Sequence, residues 1–337
     1  MHLQTEVLRL QKTQVRTAVF VTHDLGVVSK VCQSLTVLYG GLVVAQSLLA
    51  AYATIEGRVC HSLHSYFLRP GDPRRPVEYA VERTRDGASF AVRGVTANQG
   101  GKRIFDLTCS FQTPEAGLEH QFPMPAVAPP EALQEEAQRW LALGDIVPES
   151  ARRFAASPQR IDARWIGPPT FSPDKAEPFK AVWMRAKEPV GGGEAEQQAT
   201  LAYASDMTFV ETALRPHGLN YWSEGLQTAS LDHALWFHHP VDFNDWHLFV
   251  QDSPASSGGR GLVRGHLFAR DADDVGHAVR DVEGLVGQRV RFRGVAAGVW
   301  SVTSFSELRR DGMALGLQVL VQAVDQRGHG GQRPVQV

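Results

Sequence analysis

The feature that most constrains this 337-residue chain is an internal repeat in which one apolar helix accompanies several short strands. Residues 41–53, GLVVAQSLLAAYA, predict a helix of small apolar residues, and Glu196–Leu214 contains a second predicted helix with its entry near Ala202. A single sheet wrapped around one helix leaves its edge strands unpaired. Two such sheets can join edge to edge. The repeat therefore predicts an α+β fold in which two central helices, each wrapped by an antiparallel sheet, lie against one joined sheet.

Strands are predicted where β-branched and aromatic runs are bounded by turn residues. In the first half they are Val59–Leu68, Val77–Arg85, Ser89–Ala97 and Arg103–Gln112. In the second half they are Arg160–Gly167, Phe179–Lys187, Leu226–Phe237 and Arg260–Arg270. Between the halves lies a Pro- and Ala-rich linker with one amphipathic helix, Pro130–Leu143. The predicted organisation is an atypical segment at 1–39, a first repeat at 40–113, a linker at 114–159, a second repeat at 160–285 and an atypical segment at 286–337.

Composition excludes several classes of function. With 34 basic and 36 acidic residues, the net charge of −2 gives no electrostatic basis for binding nucleic acid or an anionic membrane. Three scattered cysteines predict neither a disulfide framework nor a zinc site, and we expect no metal and no cofactor. No run of 18 apolar residues predicts a membrane span. Neither end shows a targeting signal, so we expect a cytoplasmic protein, with the peroxisome as the alternative.

The first residues carry a different pattern. Residues 3–14 predict a helix, Thr17–Thr22 predicts a strand, and His23-Asp24-Leu25-Gly26 follows. Residues 3–46 resemble the end of an ABC-transporter ATPase domain, in which the residue matching His23 senses the γ-phosphate of ATP. The chain has no G-x-x-x-x-G-K-[ST] loop to hold the phosphates. We therefore expect no ATPase activity, and a first repeat that lacks its own first strand.

The first repeat contains Gly-Gly before the predicted helix, then His-Ser-x-His-Ser-Tyr-Phe-Leu-Arg-Pro-Gly-Asp, Arg-Asp-Gly-x-Ser-Phe and Ser-Phe-Gln. The second contains Tyr-Ala-Ser-Asp, Leu-Arg-Pro-His-Gly-Leu, Ser-Leu-Asp-His-x-Leu-Trp-Phe-His and Arg-Gly-Leu-Val-Arg-Gly. Over residues 39–270 the chain resembles the type II acyl-CoA thioesterases. One departure is Gly40-Gly41-Leu42, where that family usually has Gly-Gly-Gln. The resemblance implies a double hotdog fold, hydrolysis of fatty acyl-CoA to free fatty acid and CoA, and a homo-oligomer.

The resemblance also implies catalytic residues, because this family uses an Asp, a Ser or Thr, and a Gln to orient a water for direct attack on the thioester. By position, the Asp is Asp206 and the hydroxyl is Ser230. An Asp in the opening turns of a helix is favoured by the helix dipole and is expected to stay ionised. Ser230 can donate to that carboxylate or accept from the water. Backbone N–H groups at a helix start would then stabilise the oxyanion.

Substrate contacts are expected at Gly41, Ser205 and His61. Gly41 and Ser205 belong to the two predicted helix starts, where ligand would meet N–H groups. His61 lies on a predicted strand. Asp232 and His233 are adjacent on a strand and face opposite sides, which argues against a catalytic dyad and favours structural roles.

The third catalytic group has two candidate positions. In one alignment residues 271–309 are an insertion, and Gln322 is the family's Gln. In the other, which we favour, residues 281–285 are the motif strand, and Val282 occupies the Gln position. The second alignment predicts a weakened enzyme or an acyl-CoA-binding protein, since losing one stabilising group costs orders of magnitude in rate. A hotdog hydratase is disfavoured because it needs a His five residues after the Asp, where this chain has Glu211.

Overall fold

The computed structural model describes residues 17–19, 36–72, 75–167, 170–171, 174–223, 226–270 and 279–290. Within these ranges, strands and helices alternate in two successive sets. The strands are β1 (Thr17–Val19), β2 (Val59–Phe67), β3 (Glu78–Asp86), β4 (Phe90–Gln99), β5 (Lys102–Gln112), β6 (Ile161–Ile166), β7 (Phe179–Ala186), β8 (Leu226–Ser230), β9 (Asp232–Trp236), β10 (His247–Ser257), β11 (Arg260–Ala269) and β12 (Val279–Val290). The α-helices are α1 (Thr36–Tyr52), α2 (Glu136–Ala142), α3 (Glu149–Ala156), α4 (Glu194–Ser205) and α5 (Phe209–Leu214). None of these helices is long and apolar enough to cross a membrane.

The described strands form one continuous antiparallel sheet in the order β1-β3-β4-β5-β2-β9-β12-β11-β10-β7-β6, with β8 paired to β12. The two halves meet where β2 pairs with β9, placing Leu63 opposite Leu235. Both leucines are fully buried, so the junction is part of the core. The predicted joining of two sheets through their edge strands is confirmed.

Helix α1 is apolar on almost all sides, a pattern typical of a helix covered on more than one face. One side packs on the first sheet, where residues of β4 alternate between buried and half-buried. Another side packs on α4 of the second repeat. Buried polar bonds connect the repeats here, because Tyr52 donates to Gln198 Oε1 (2.7 Å) and Gln198 Nε2 donates to the carbonyl of Cys60 (3.0 Å).

Three predicted elements differ from the structure. The predicted helix 41–53 begins five residues earlier, so Gly40 and Gly41 lie inside α1 rather than before it. The predicted strand Leu226–Phe237 is interrupted at Leu231 and forms β8 and β9. The predicted linker helix Pro130–Leu143 is a 3-10 turn at Pro130–Ala132 followed by the shorter α2.

The first repeat also gains a strand that the sequence did not predict for it. Strand β1 pairs with β3 at the end of the sheet, with Thr17 opposite Val81 and Val19 opposite Tyr79. The predicted strand Thr17–Thr22 is thus present over Thr17–Val19, and it lies at the end of the sheet beside β3. The predicted helix at residues 3–14 and His23 lie outside the described residues.

Candidate active site

Asp206 lies at the end of a helix and not at its start. It is the C-cap of α4. At the other end of this helix, the N–H of Gly193 donates to Glu196 Oε2 (2.9 Å) and stabilises the first turn. The helix ends at Ser205, whose hydroxyl donates to the carbonyl of Ala202 (3.0 Å) and competes with the helical bonding pattern. The prediction that a helix N-terminus stabilises the Asp206 carboxylate is wrong, because the C-terminal end of a helix dipole disfavours negative charge.

Ser230 reaches the same carboxylate from the sheet. It is the last residue of β8, and its hydroxyl donates to Asp206 Oδ1 at 2.9 Å. The fold brings together two predicted residues that are 24 positions apart. Asp206 Oδ2 is also buried, and among the described residues no group completes a hydrogen bond to it.

Two glycines of the first repeat form the opposite wall of this site. A Cβ added to Gly40 would lie 2.6 Å from Asp206 Oδ2, and one added to Gly41 would lie 2.5 Å from the carbonyl oxygen of Tyr203. Both distances are too short for any side chain, so glycine is what allows α1 to approach the end of α4. The N–H of Gly41 is directed at Asp206, although it does not close a hydrogen bond of full geometry. Because Gly41 lies within α1, the predicted helix-start amides for an oxyanion are wrong at this position.

Burial dominates the electrostatics of the site. Asp206 is only 2% exposed, and burial raises the pKa of its carboxyl to about 7. The hydrogen bond from Ser230 and the nearby N–H of Gly41 act in the opposite direction and lower that pKa. The expectation of a fully ionised carboxylate is therefore wrong. Near neutral pH this group can both accept and return a proton.

A cavity of about 590 Å³ opens beside the pair and is lined by both repeats. The first repeat contributes residues of α1, β2, β5 and the segment after β2, while the second contributes residues 227–231 and residues 259–260 at the start of β11. Among the described residues that line the cavity, Arg69 and Arg260 are the charged ones, so this lining favours an anionic ligand. Both arginines belong to motifs found in the sequence, Phe-Leu-Arg-Pro-Gly-Asp and Arg-Gly-Leu-Val-Arg-Gly, but neither was predicted as a site residue.

Ser205 lies behind Asp206 and lines no part of this cavity. Its hydroxyl donates to Ala202, so the contact of 2.9 Å with His233 Nε2 requires that nitrogen to carry the hydrogen. Burial lowers the pKa of His233 to about 4, which keeps the ring neutral at physiological pH. The contact between Ser205 and His233 thus stabilises the end of α4.

His61 is separated from the pair. Its Nε2 lies 2.8 Å from the hydroxyl of Ser110, and its ring contacts Phe90 edge to face. It does not line the 590 Å³ cavity. A substrate contact at His61 stays a prediction.

Comparisons with known proteins agree over both halves of the chain. A family profile described as acyl-CoA thioesterase matches residues 134–285, and one described as the acyl-CoA thioesterase N-terminal domain matches residues 28–112. Acyl-coenzyme A thioesterase 8 of Mus musculus is 42% identical over 244 residues, covering 69% of this chain and 76% of that protein. Acyl-CoA thioesterase 2 of Haemophilus influenzae is 38% identical over 252 residues, covering 74% and 87%. This chain belongs to the acyl-CoA thioesterase family.

Solved structures support the fold of this thioesterase. The crystal structure of acyl-CoA thioesterase II TesB2 from Mycobacterium marinum has a TM-score of 0.62 and 36% identity, covering 77% of this chain and 91% of that one. A protein of unknown function with a hot dog fold from Alicyclobacillus acidocaldarius has a TM-score of 0.58 and 19% identity, covering 75% and 88%. The predicted double hotdog is confirmed. The resemblance to a transporter ATPase is not supported, and the thioesterase N-terminal profile reaches back to residue 28 within that segment.

The position of the third predicted group lies on β12 of this thioesterase. Position 282 pairs with Gly265 of β11 and with Leu235 of β9. Position 286 of the same strand pairs with Ser230. The family profile ends at residue 285, so it covers this motif strand. The competing candidate, Gln322, lies outside the described residues.

Proposed function

We propose that this thioesterase hydrolyses fatty acyl-CoA by direct attack of a water molecule, with Asp206 as the base and Ser230 as the residue that holds the carboxylate in place. One observation carries the proposal. The hydroxyl of Ser230 donates a hydrogen bond to Asp206 Oδ1 at 2.9 Å. Asp206 Oδ2 is buried and has no hydrogen-bond partner among the described residues. It lies next to Gly40, which lines the cavity. One carboxylate oxygen is fixed, and the other is available to a water.

The proton balance follows from this arrangement. Ionised Asp206 accepts a proton from the water at Oδ2 as the oxygen bonds to the thioester carbon. The tetrahedral intermediate then expels CoA as a thiolate, and protonated Asp206 returns the proton to the sulfur. A pKa of about 7 suits both steps, because a base with a pKa near the working pH exchanges protons in either direction.

The charges of the cavity support CoA as the part of the substrate that it binds. Arg69 and Arg260 are the charged residues of its lining, and CoA carries phosphates that pair with guanidinium groups. The acyl group would then extend past Asp206.

The family resemblance implies a Gln that helps to orient the water, and this chain has Val282 at the position that we assign to it. A water with one fewer hydrogen-bond partner is less well oriented, so we expect a slow enzyme. The alternative function is acyl-CoA binding with little turnover. Val282→Gln tests the assignment, with kcat expected to rise by roughly tenfold or more. An unchanged kcat with unchanged substrate affinity would return the assignment to Gln322.

The main test compares the wild type with Asp206→Asn by the release of free CoA thiol from medium- and long-chain acyl-CoA. Asn keeps the shape of the side chain and its acceptor for Ser230, but it cannot take the proton of the water. We expect kcat to fall roughly 10²- to 10⁴-fold. Asp252→Asn is the matched control, because Asp252 lies at the surface in an ion pair with Arg264. Equal rates for wild type and Asp206→Asn would refute the mechanism.

The assembly and the location of the protein are also proposals. We expect a homo-oligomer, and Leu118 and Phe122, exposed in the segment between the repeats, are apolar surface that a second copy would cover. Light scattering coupled to size exclusion gives the subunit number, and a monomer would contradict the proposal.

We expect the protein to lie in the cytoplasm rather than in the peroxisome. Fractionation of the source cells decides between the two locations.

A further inference from the structure

The Asp206 carboxylate lies behind the wall of the 590 Å³ cavity and is not part of it. Asp206 is 2% exposed, its Oδ2 is buried, and it is not among the described residues that line the cavity. A thioester bound in the cavity therefore meets the wall before it meets the carboxylate. The wall residues nearest to Asp206 decide how substrate and water reach it.

Three residues that line the cavity also lie next to the Asp206 side chain, namely Gly40, Phe67 and Ser230. Ser230 donates to Oδ1 at 2.9 Å, and a Cβ on Gly40 would lie 2.6 Å from Oδ2. The ring of Phe67 approaches the same point, since its Cε1 and Cζ lie 3.3 and 3.6 Å from the position of that Cβ. Gly40 has no side chain, and the hydroxyl of Ser230 is bonded to the carboxylate. Phe67 is therefore the one of the three whose side chain can cover or uncover Asp206.

The main chain of Phe67 is fixed, whereas its ring is only half-buried. Its N–H donates to the carbonyl of Leu231, the residue after Ser230, at 2.9 Å. Its position at the end of β2 pairs with Phe105 of β5, and the two rings pack with their centroids 5.0 Å apart. The junction of the two repeats thus holds the backbone, and rotation about the side-chain bonds is the motion left to the ring.

Solvent exclusion has the largest influence on the Asp206 carboxyl, since burial raises its pKa to about 7. The other groups that face it are the hydroxyl of Ser230 on β8, the N–H of Gly41 on α1 and the phenol of Tyr221 after α5. His233 on β9 lies nearby, and burial lowers its pKa to about 4, so its ring is neutral. All of these groups are uncharged near neutral pH. A change in solvent access therefore has a larger effect on this carboxyl than a change in any charged partner among the described residues.

We propose that Phe67 is a positioning residue for hydrolysis, whose ring covers Asp206 in the free enzyme and rotates when the thioester enters, so that the carbonyl carbon and one water reach Asp206 while bulk water does not. The inference deepens the proposed function and rests on it for the role of Asp206 as the base. An apolar ring suits this role, because it excludes water and offers the carboxylate no competing hydrogen bond. Interactions with the developing charge are stronger in a site from which bulk water is excluded.

The test is the pH profile of kcat/KM with a medium-chain acyl-CoA, for wild type, Phe67→Ala and Phe67→Leu. Phe67→Ala opens the carboxylate to water, so its acid limb should move to lower pH by about one unit or more. The plateau of kcat/KM should fall roughly threefold for each unit of that shift, because a weaker base accepts the proton of the water less readily. Phe67→Leu keeps an apolar cover, so its limb should lie close to that of the wild type.

Phe179→Ala is the matched control, because Phe179 lies 50% exposed at the start of β7 and is not among the described residues that line the cavity. Its limb and plateau should equal those of the wild type. An acid limb that Phe67→Ala leaves unmoved, or that Phe67→Ala and Phe67→Leu move equally, would overturn the inference. If Phe67→Ala does not fold, Phe67→Val takes its place, and its shift should exceed that of Phe67→Leu.

A measurement of stability separates this inference from the proposed function. The gain in unfolding free energy from Asp206→Asn between pH 5 and pH 8 depends on the burial of Asp206 and not on turnover. In the Phe67→Ala background this gain should shrink by about half. A reduced gain in a protein that does not hydrolyse acyl-CoA would support the cover and contradict the proposed function. An undiminished gain, in a protein whose hydrolysis Asp206→Asn abolishes, would overturn the inference and leave the proposed function in place.

Discussion

Asp206→Asn should stabilise the folded protein while it lowers kcat, and the gain in stability should grow with pH. The folded-state pKa of Asp206 is about 7, against 3.8 for an ordinary Asp. Because the folded value is the higher one, ionisation of Asp206 opposes folding. The cost begins as pH rises through the unfolded pKa and becomes constant above the folded pKa. Asn has no such cost.

The magnitude follows from 1.36 kcal/mol per pKa unit. With these two pKa values, ionisation costs about 2 kcal/mol of stability near pH 5 and about 4 kcal/mol near pH 8. The Asn amide also leaves N–H groups unpaired at the site, which costs free energy that does not depend on pH. Because that cost is the same at both pH values, it does not affect the comparison between them. The free energy of unfolding of Asp206→Asn, relative to wild type, should therefore increase by about 2–3 kcal/mol from pH 5 to pH 8.

Urea denaturation of wild type and Asp206→Asn, followed by tryptophan fluorescence at several pH values, measures this increase. Asp252→Asn serves as the control, because its carboxylate lies at the surface in an ion pair with Arg264. If the free energies of unfolding of wild type and Asp206→Asn run parallel from pH 5 to pH 8, the raised pKa of Asp206 is refuted. Parallel values would also remove the argument that Asp206 exchanges protons in both directions near neutral pH.

Three further outcomes are expected. The kcat/KM of the wild type should fall about tenfold per unit as pH decreases below about 7, because Asp206 becomes protonated; a flat profile down to pH 5 would exclude a catalytic base with a pKa near 7. Ser230→Ala removes a hydrogen bond that lowers the pKa of Asp206, so the acid limb should move to higher pH and kcat should fall roughly tenfold or more; an unmoved limb would show that Ser230 does not act through Asp206. Gly41→Ala should lower the free energy of unfolding by about 1–3 kcal/mol, because the new Cβ meets the carbonyl of Tyr203 at 2.5 Å. Gly94→Ala, whose Cβ would meet nothing closer than 3.7 Å, should cost less, and equal losses would contradict the steric argument.

Val282→Gln, proposed above, adds a gain-of-function test to these losses. Its interpretation depends on the strand register, which pairs position 286 with Ser230 and position 282 with Leu235.

The sequence by itself determined the repeated unit, the joined sheet and the pair Asp206 and Ser230. Apolar periodicity and turn residues are local signals, and they fix which segments become strands and which face is buried. The motifs then identified the family and, with it, two candidate residues, which a hydrogen bond of 2.9 Å joins in the structure.

Only the tertiary structure decided the charge of Asp206. Local sequence placed the residue at a helix start, where a carboxylate stays ionised, but the end of α4, the two glycines of α1 and the core around them bury it instead. Desolvation depends on every atom that surrounds a group, and those atoms come from segments more than 150 residues apart.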